Sequence, residues 1–284
     1  MDTGTEPLVD FHTHSHFSDG VLAPTPLVER ARLRGVGTLA LTDHDTTAGL
    51  AEARAACLAS GIRFVPGVEL SATWRGQTIH LVGLQIDAAR PALGTHLSRV
   101  LARRKARLGE IGERLEKRAR LPGRELAALA AQGTAPTRLN LARLLVARGH
   151  ARDTQEAFDR WLNRDKPGHV APEWPSLDEA MTALRDNGAL AVLAHPHRYR
   201  ASAGQLRELT AAFAERGGVA LEASMAGMSP NDADRIASLC RRFKLHASMG
   251  SDFHDPAVPW NPLGRWLKLA PGLEPVTMLL TTTT

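Results

Sequence analysis

Val9-Asp10-Phe11-His12-Thr13-His14-Ser15-His16-Phe17-Ser18-Asp19 is the stretch that decides how this chain is read. Val9 to Phe11 look like the end of a short buried strand, and His12 and His14 follow with one residue between them. In an extended backbone, residues two apart face the same side, so both imidazoles reach one point. Asp19 comes after a polar turn with Ser18, and Gly20 follows it. Two imidazoles and a nearby carboxylate are the donor types that hold a metal. Taken alone, His-x-His fits surface or core histidines equally well, so the other strand ends decide.

Outward from that stretch, Thr25-Pro26 is expected to open a helix to about Arg34. Thr38–Leu41 reads as a strand, with Thr42-Asp43-His44-Asp45 at its end. A helix over 49–60 follows, then a strand at Ile62–Val65, a break at Pro66-Gly67, and Val68–Ala72 carrying Glu69. After a turn at Arg75-Gly76, Thr78–Gln85 returns as a strand carrying His80. Alternating strands and helices imply a mainly parallel sheet with crossover helices.

From Pro91 to about Phe158 only helical signals occur, including the run Arg103-Arg104-Lys105-Ala106-Arg107, expected to be a solvated helix face. The alternation resumes with a capping box at Ser176 and Glu179. Leu190–Leu193 ends in Ala194-His195-Pro196-His197, Val219–Glu222 is a further strand, and Ala247–Gly250 ends in Ser251-Asp252-Phe253-His254. The expected organisation is a first barrel part over 7–90, a helical insertion over 91–170, a second barrel part over 171–270 and a tail over 271–284.

Composition narrows the class. A chain of 284 residues with 43% hydrophobic content suits one barrel-sized domain. No apolar run reaches the length of a membrane span and no leader opens the chain, so a soluble cytoplasmic protein is expected. Cys57 and Cys240 sit in helical patterns and read as reduced structural thiols. The net charge of +5 favours anionic ligands, and the single tyrosine argues against a base-stacking RNA-binding sheet.

Metal-competent residues recur at the strand ends: His12 and His14, His44 with Asp43 and Asp45, Glu69 with His80, His195, and Asp252 with His254. In a barrel of parallel strands those ends open on one face, where barrel enzymes do their chemistry. The alternative, several buried histidines each with a private hydrogen-bond partner at one barrel end, asks for more coincidence.

Taken together, VDFHTHSHFSDG, LTDHDT, PGVELSA, IHLVG, AHPHR and GSDFH resemble the blocks of the PHP (polymerase and histidinol phosphatase) superfamily, in order. The resemblance implies an α/β fold, a distorted barrel of seven strands and helices, here with an all-helical insertion domain. It also implies three divalent metal ions, manganese first, with iron or zinc as alternatives. Carried over residue by residue, His12, His14, Glu69 and Asp252 hold one ion. Glu69, His80 and His195 hold a second, and Asp19, His44 and His254 a third. Such a cluster suits phosphoester hydrolysis by an activated hydroxide attacking phosphorus in line with the leaving oxygen. His197 and Asp45 are candidates for protonating that oxygen, or for orienting ligands instead.

Within the superfamily the layout resembles a bacterial subgroup of nucleoside 3′,5′-bisphosphate phosphatases and short-RNA exonucleases. The implied substrate is therefore a small nucleotide or short 5′-phosphorylated RNA. Arg138 and Lys166 are expected to hold a second phosphate, against the alternative of a surface helix start and a solvated loop lysine. Arg198 and Arg200 lie near the expected metals, and Arg265 is a further candidate. Two other readings remain open at this point, a histidinol phosphatase and a non-catalytic PHP module that binds nucleic acid. No membrane and no obligate protein partner is indicated.

Overall fold

Seven strands lie side by side in chain order in this computed structural model, which describes residues 8–281. The expected ranges that begin at residue 7 and end at residue 284 therefore extend into residues outside those described. Strand β1 (Leu8–Asp10) pairs in parallel with β2 (Val36–Leu41), and β2 with β3 (Arg63–Trp74). Strand β4 (Gln77–Leu84) runs antiparallel to both β3 and β5 (Leu190–Leu193). The sheet returns to parallel pairing through β6 (Ala220–Met225) and β7 (His246–Gly250).

The first and last strands meet. The Phe11 amide donates to the Met249 carbonyl at 3.1 Å, and Thr13 bridges Phe253 in parallel. Each strand from β2 to β7 then sends a side chain into one buried cluster, including Ala40, Val65, Val82, Val192, Ala220 and Met249, with Phe11 from the end of β1. A packed interior of this kind is how small barrels are filled.

Local chemistry explains the elements. Arg75 and Gly76 both take positive φ, the two-residue turn whose twist matches antiparallel strands. The expected break at Pro66-Gly67 is absent, and β3 passes through it as one strand. Pro66 contributes a carbonyl there, accepting from the Ile86 amide, and needs no N–H of its own. Helix α1 (Pro24–Leu33) starts two residues earlier than expected, with Pro24 as its first residue. The Thr25 hydroxyl donates to Glu52 on α2 (Leu50–Ser60) and does not cap its own helix.

Five α-helices lie between β4 and β5, and the first four form the inserted block. These four are α3 (Pro91–Ala119), α4 (Gly123–Ala130), α5 (Arg138–Ala147) and α6 (Thr154–Ala157), the last passing into a π-turn over Phe158–Leu162. They share a core of their own, built from Leu108, Ile111, Leu115, Leu126, Leu141 and Leu145. Thr137 and Asn140 form a reciprocal cap at the start of α5. Helices α7 (Leu177–Asn187), α8 (Ala203–Glu215) and α9 (Pro230–Phe243) complete the crossovers, and the Ser176–Glu179 box caps α7 as expected. Among the described residues, no helix is long and apolar enough to cross a membrane.

Candidate active site

The site grows from backbone register. The β2–β3 pairing continues past Leu41: the Asp45 amide donates to the Glu69 carbonyl at 2.9 Å, and His44 bridges Glu69. On the other side, the Asp252 amide donates to the His12 carbonyl at 2.9 Å. These links set His12, His14, His44, Glu69 and Asp252 around one barrel mouth. Three of the neighbouring turns are strained, since Asp45, His195 and Asp252 all adopt positive φ without being glycine. Such residues typically cost about 1–3 kcal/mol each and persist where surroundings over-determine them.

His80 reaches the same mouth although it lies in mid-strand. Because β4 runs antiparallel, its N-terminal half lies at the end where its neighbours finish. Tyr199, the chain's single tyrosine, secures that position by accepting from the His80 amide at 2.9 Å and donating to the Ala194 carbonyl at 2.8 Å.

Four donor atoms converge most tightly: His12 Nε2, His14 Nε2, Glu69 Oε2 and Asp252 Oδ1. Five separations among them run from 3.0 to 3.4 Å. Donors about 2.0–2.1 Å from a shared ion in a tetrahedral array sit roughly 3.3–3.4 Å apart. The other Glu69 oxygen lies 2.9 Å from His80 Nδ1 and 3.0 Å from His195 Nε2. Asp19 lies 3.1 Å from His254 Nε2 and 3.7 Å from His44 Nε2. The structure therefore brings together all nine residues expected as ligands.

Some polar atoms of these side chains also lack hydrogen-bond partners. His14 Nδ1, His44 Nδ1, Glu69 Oε2 and His195 Nδ1 are buried without a hydrogen bond. His44 Nδ1 and Glu69 Oε2 are 3.0 Å apart yet not aligned to bond each other. Lone pairs that converge at close range without hydrogen-bond geometry fit a divalent cation between them. Burial opposes ionisation of Glu69, but the imidazoles of His44, His12 and His80 hold its carboxyl well below the usual range. Asp252 behaves alike, with His12, His254 and Arg198 outweighing its burial.

Several residues that support the site carry no obvious motif. Glu222, buried at the middle of β6, accepts from His12 Nδ1 at 2.6 Å and from the His195 amide. It thereby leaves His12 Nε2 free to face the cluster. Asp43 accepts from the Ser15 amide and hydroxyl and from Ser18, tying down the loop that carries Asp19. Asp10 accepts from the amides of Ser251 and Gly264. The sequence reading ended a strand at Glu222 without singling it out, and an acidic residue at an expected strand end was the signal that could have found it.

A cleft of about 780 Å³ runs from Asp19, His44 and His80 to the helices inserted between β4 and β5. Five arginines line it: Arg104, Arg107, Arg138, Arg164 and Arg200. The Arg103–Arg107 run is thus not one solvated face, because Arg104 is buried and Arg107 half-buried while Arg103 and Lys105 are exposed. Arg104 bonds Asp45 Oδ2 through Nε at 2.9 Å, and Ser71 Oγ through Nη2 at 2.9 Å. Its guanidinium also lies over Trp174. Both oxygens of Asp45 are therefore engaged, the other accepting from the Ser71 amide at 2.9 Å.

Arg138 stacks on Phe158, with its guanidinium carbon 5.3 Å from the ring centre. Lys166 is exposed and lies outside the cleft lining, which takes Arg164, Asp165 and His169 from the same loop. Arg198 pairs with Asp252, and Arg200 lines the cleft. His197 lies on the other flank of the mouth, where burial and the neighbouring Arg198 push its imidazole down to about 4.

Comparison with known proteins adds independent findings. The profile of the PHP domain matches residues 10–163. The chain is 45% identical to the 5'-3' exoribonuclease Rnm of Escherichia coli (strain K12), over 98% of this chain and 95% of that protein. It is 38% identical to the 3',5'-nucleoside bisphosphate phosphatase of Chromobacterium violaceum, over 94% of each. Among solved structures, an amidohydrolase from Chromobacterium violaceum with bound sulfate and no metal superposes with a TM-score of 0.88 at 37% identity, covering 95% of each chain.

Proposed function

The chain belongs to the PHP domain family and is a metal-dependent phosphoric ester hydrolase, and from that premise we propose that it acts on small nucleotides bearing a 5′-phosphate and an ester on the 3′ oxygen. Nucleoside 3′,5′-bisphosphates and short 5′-phosphorylated RNA both meet that description. The observation that carries this reading is the arginine lining of the cleft beside the metal-competent cluster. One ester phosphate needs only the cluster, and with Arg104 already paired to Asp45 the four other guanidinium groups, Arg107, Arg138, Arg164 and Arg200, call for a second anion. Histidinol phosphate has no second phosphate and leaves that lining unexplained.

In both substrates we assign the same broken bond, between phosphorus and the 3′ oxygen. Water adds to phosphorus, the bond to the 3′ oxygen breaks, and that oxygen takes a proton. The phosphorus then departs as inorganic phosphate, or with the rest of the RNA attached.

The ligand assignment follows the three clusters: His12, His14, Glu69 and Asp252; Glu69, His80 and His195; Asp19, His44 and His254. Three ions are assigned, with manganese the preferred occupant of mixed imidazole and carboxylate donors. When bound, divalent ions supply an activated water and offset charge on the phosphoryl oxygens. The chain's own residues supply the rest. Glu222 holds His12 in the tautomer that leaves Nε2 free. Arg198 shares Asp252 and stands ready for a phosphoryl oxygen. Arg138, with its plane set by Phe158, grips the 5′-phosphate in bidentate fashion. Asp45 positions Arg104 between barrel and insertion. With its imidazole unprotonated near pH 7, His197 is an acceptor in the resting enzyme. The segment 91–170 serves as the substrate lid over this mouth.

The test uses manganese-loaded enzyme on a nucleoside 3′,5′-bisphosphate, a 5′-monophosphate, histidinol phosphate and p-nitrophenyl phosphate. The bisphosphate is expected to be preferred. Arg138→Ala is expected to cut kcat/KM for the bisphosphate roughly 10- to 100-fold, the value of a charge-assisted hydrogen bond, with a much smaller loss on p-nitrophenyl phosphate. Equal losses on both substrates, or a preference for histidinol phosphate, would overturn the substrate assignment.

A further inference from the structure

The barrel mouth has a second flank, of which the phosphomonoester reaction uses only the inner edge, His197 and Arg198. Its first cavity, of about 450 Å³, is lined by His197, Arg198, Ala226, Gly227, Trp260 and Asn261. It shares no lining residue with the arginine cleft. Strand order explains the separation. The cleft sits beside the ends of β2 to β4 and the insertion that follows β4, whereas this cavity sits beside the ends of β5 to β7.

Two contacts tie the cavity to the metal-competent cluster. Arg198 pairs with the Asp252 carboxylate, and Asn261 Nδ2 donates to the Asp252 carbonyl at 3.4 Å. Trp260 is 65% exposed on the cavity's wall, in a chain with only five tryptophans. Leaving so large an aromatic face in water forfeits hydrophobic burial, and among the exposed large apolar side chains of the described residues Trp260 is the one that is aromatic. Beyond Trp260 the groove continues into a further cavity of about 350 Å³, where Trp266 and Arg265 join it. An exposed aromatic face, Trp260, with guanidinium groups on either side of it, Arg198 and Arg265, and the half-buried Trp266 beyond, supplies the elements of a single-stranded nucleic-acid track, with bases stacked and phosphates paired.

Reaction geometry gives the track its occupant. In an in-line displacement the leaving 3′ oxygen and the entering water oxygen lie on opposite sides of phosphorus. A phosphodiester carries one more substituent, the 5′ oxygen of the next nucleotide, which must leave the phosphorus in a third direction. A bisphosphate has no such substituent and needs only the arginine cleft. A cavity bounded by Arg198, on the opposite flank of the cluster, is what a diester requires in addition.

We propose that the groove from Arg198 past Trp260 to Trp266 and Arg265 binds the RNA chain downstream of the scissile phosphate, with the first downstream base stacked on Trp260. This inference rests on the oligonucleotide part of the proposed function. It makes Trp260 a specificity-determining residue that separates diesterase from monoesterase activity. Arg265, expected from the sequence to touch phosphate, serves the next phosphate along this track.

The experiment compares wild type, Trp260→Ala and Trp260→Phe on a nucleoside 3′,5′-bisphosphate and on a 5′-phosphorylated RNA trinucleotide. Phosphate release and 5′-nucleotide release are measured at several substrate concentrations. Trp260→Ala is expected to lower kcat/KM for the trinucleotide roughly tenfold more than for the bisphosphate, mainly through KM, and Trp260→Phe to recover most of that difference. Turnover of the bisphosphate by each variant also reports that it is folded. Equal losses on both substrates would overturn the stacking role. A wild type that hydrolyses the bisphosphate but not the trinucleotide would overturn the track and leave the phosphatase reading standing. A wild type that hydrolyses neither would overturn both.

Discussion

Glu222 shows how one carboxylate sets the chemistry of two ligands. Its two oxygens accept from His12 Nδ1 and from the His195 amide, and both donors are presented to it at once. In Glu222→Gln only one oxygen remains, and the amide NH2 faces whichever donor is left. The variant keeps its size, so packing is unchanged while one buried donor loses its acceptor. Metal affinity is expected to fall about 10- to 100-fold, as for other losses of a carboxylate behind a histidine ligand. Titration of metal-free protein with manganese measures it, and unchanged affinity would remove the role given to Glu222. At this scale the sequence was legible where a residue's type and its place on a strand coincide. His12, His14, Glu69, His195 and Asp252 stand out for that reason. Arg104 does not, since nothing in Arg103-Arg104-Lys105-Ala106-Arg107 distinguishes the one side chain that turns inward. That choice depends on where Asp45 and Trp174 lie, over 50 residues away in each direction along the chain.

Among the elements, β1 and β7 approach closely where the barrel closes. A Cβ added to Gly250 would lie 2.5 Å from the His12 Cβ and 2.8 Å from its backbone nitrogen. Gly250 is needed there for close approach, since its φ is not in the left-handed region. Gly250→Ala is expected to push the two strands apart, costing about 1–3 kcal/mol as an overpacked contact and displacing His12 from the cluster. Denaturant unfolding and manganese titration of the variant check both parts. A variant with normal stability and normal affinity would contradict the described approach. The element pattern itself was mostly legible, because hydrophobic period and caps such as Ser176 with Glu179 are local signals. Two things were not. The passage of β3 through Pro66 depends on a distant amide, that of Ile86 just past β4, which donates to its carbonyl, and the groove around Trp260 lies in an irregular Pro-rich segment with no period to read.

For the whole molecule, the cluster is a concentration of unsatisfied and mutually close charges held at the barrel mouth. Binding divalent ions to the folded state alone stabilises it in proportion to the logarithm of their excess over the dissociation constant. With ions at about 100 times that constant, one site contributes about 2.7 kcal/mol, which for a chain of this size raises the thermal midpoint by roughly 5 °C. Stripping the protein with a chelator is therefore expected to lower the midpoint by at least that much, and adding back manganese to restore it. Calorimetry in both states is the measurement, and an unmoved midpoint would speak against resident ions. The β1–β7 closure, finally, has a consequence for biogenesis. The amide of Asp252 reaches the carbonyl of His12 across most of the chain. A growing polypeptide emerging from the ribosome presents His12, His14, Asp19, His44, Glu69 and His80 long before His195, Asp252 and His254 exist to join them. The complete set of nine can therefore come together only after synthesis has passed the last strand, His254 being the last of them to be made.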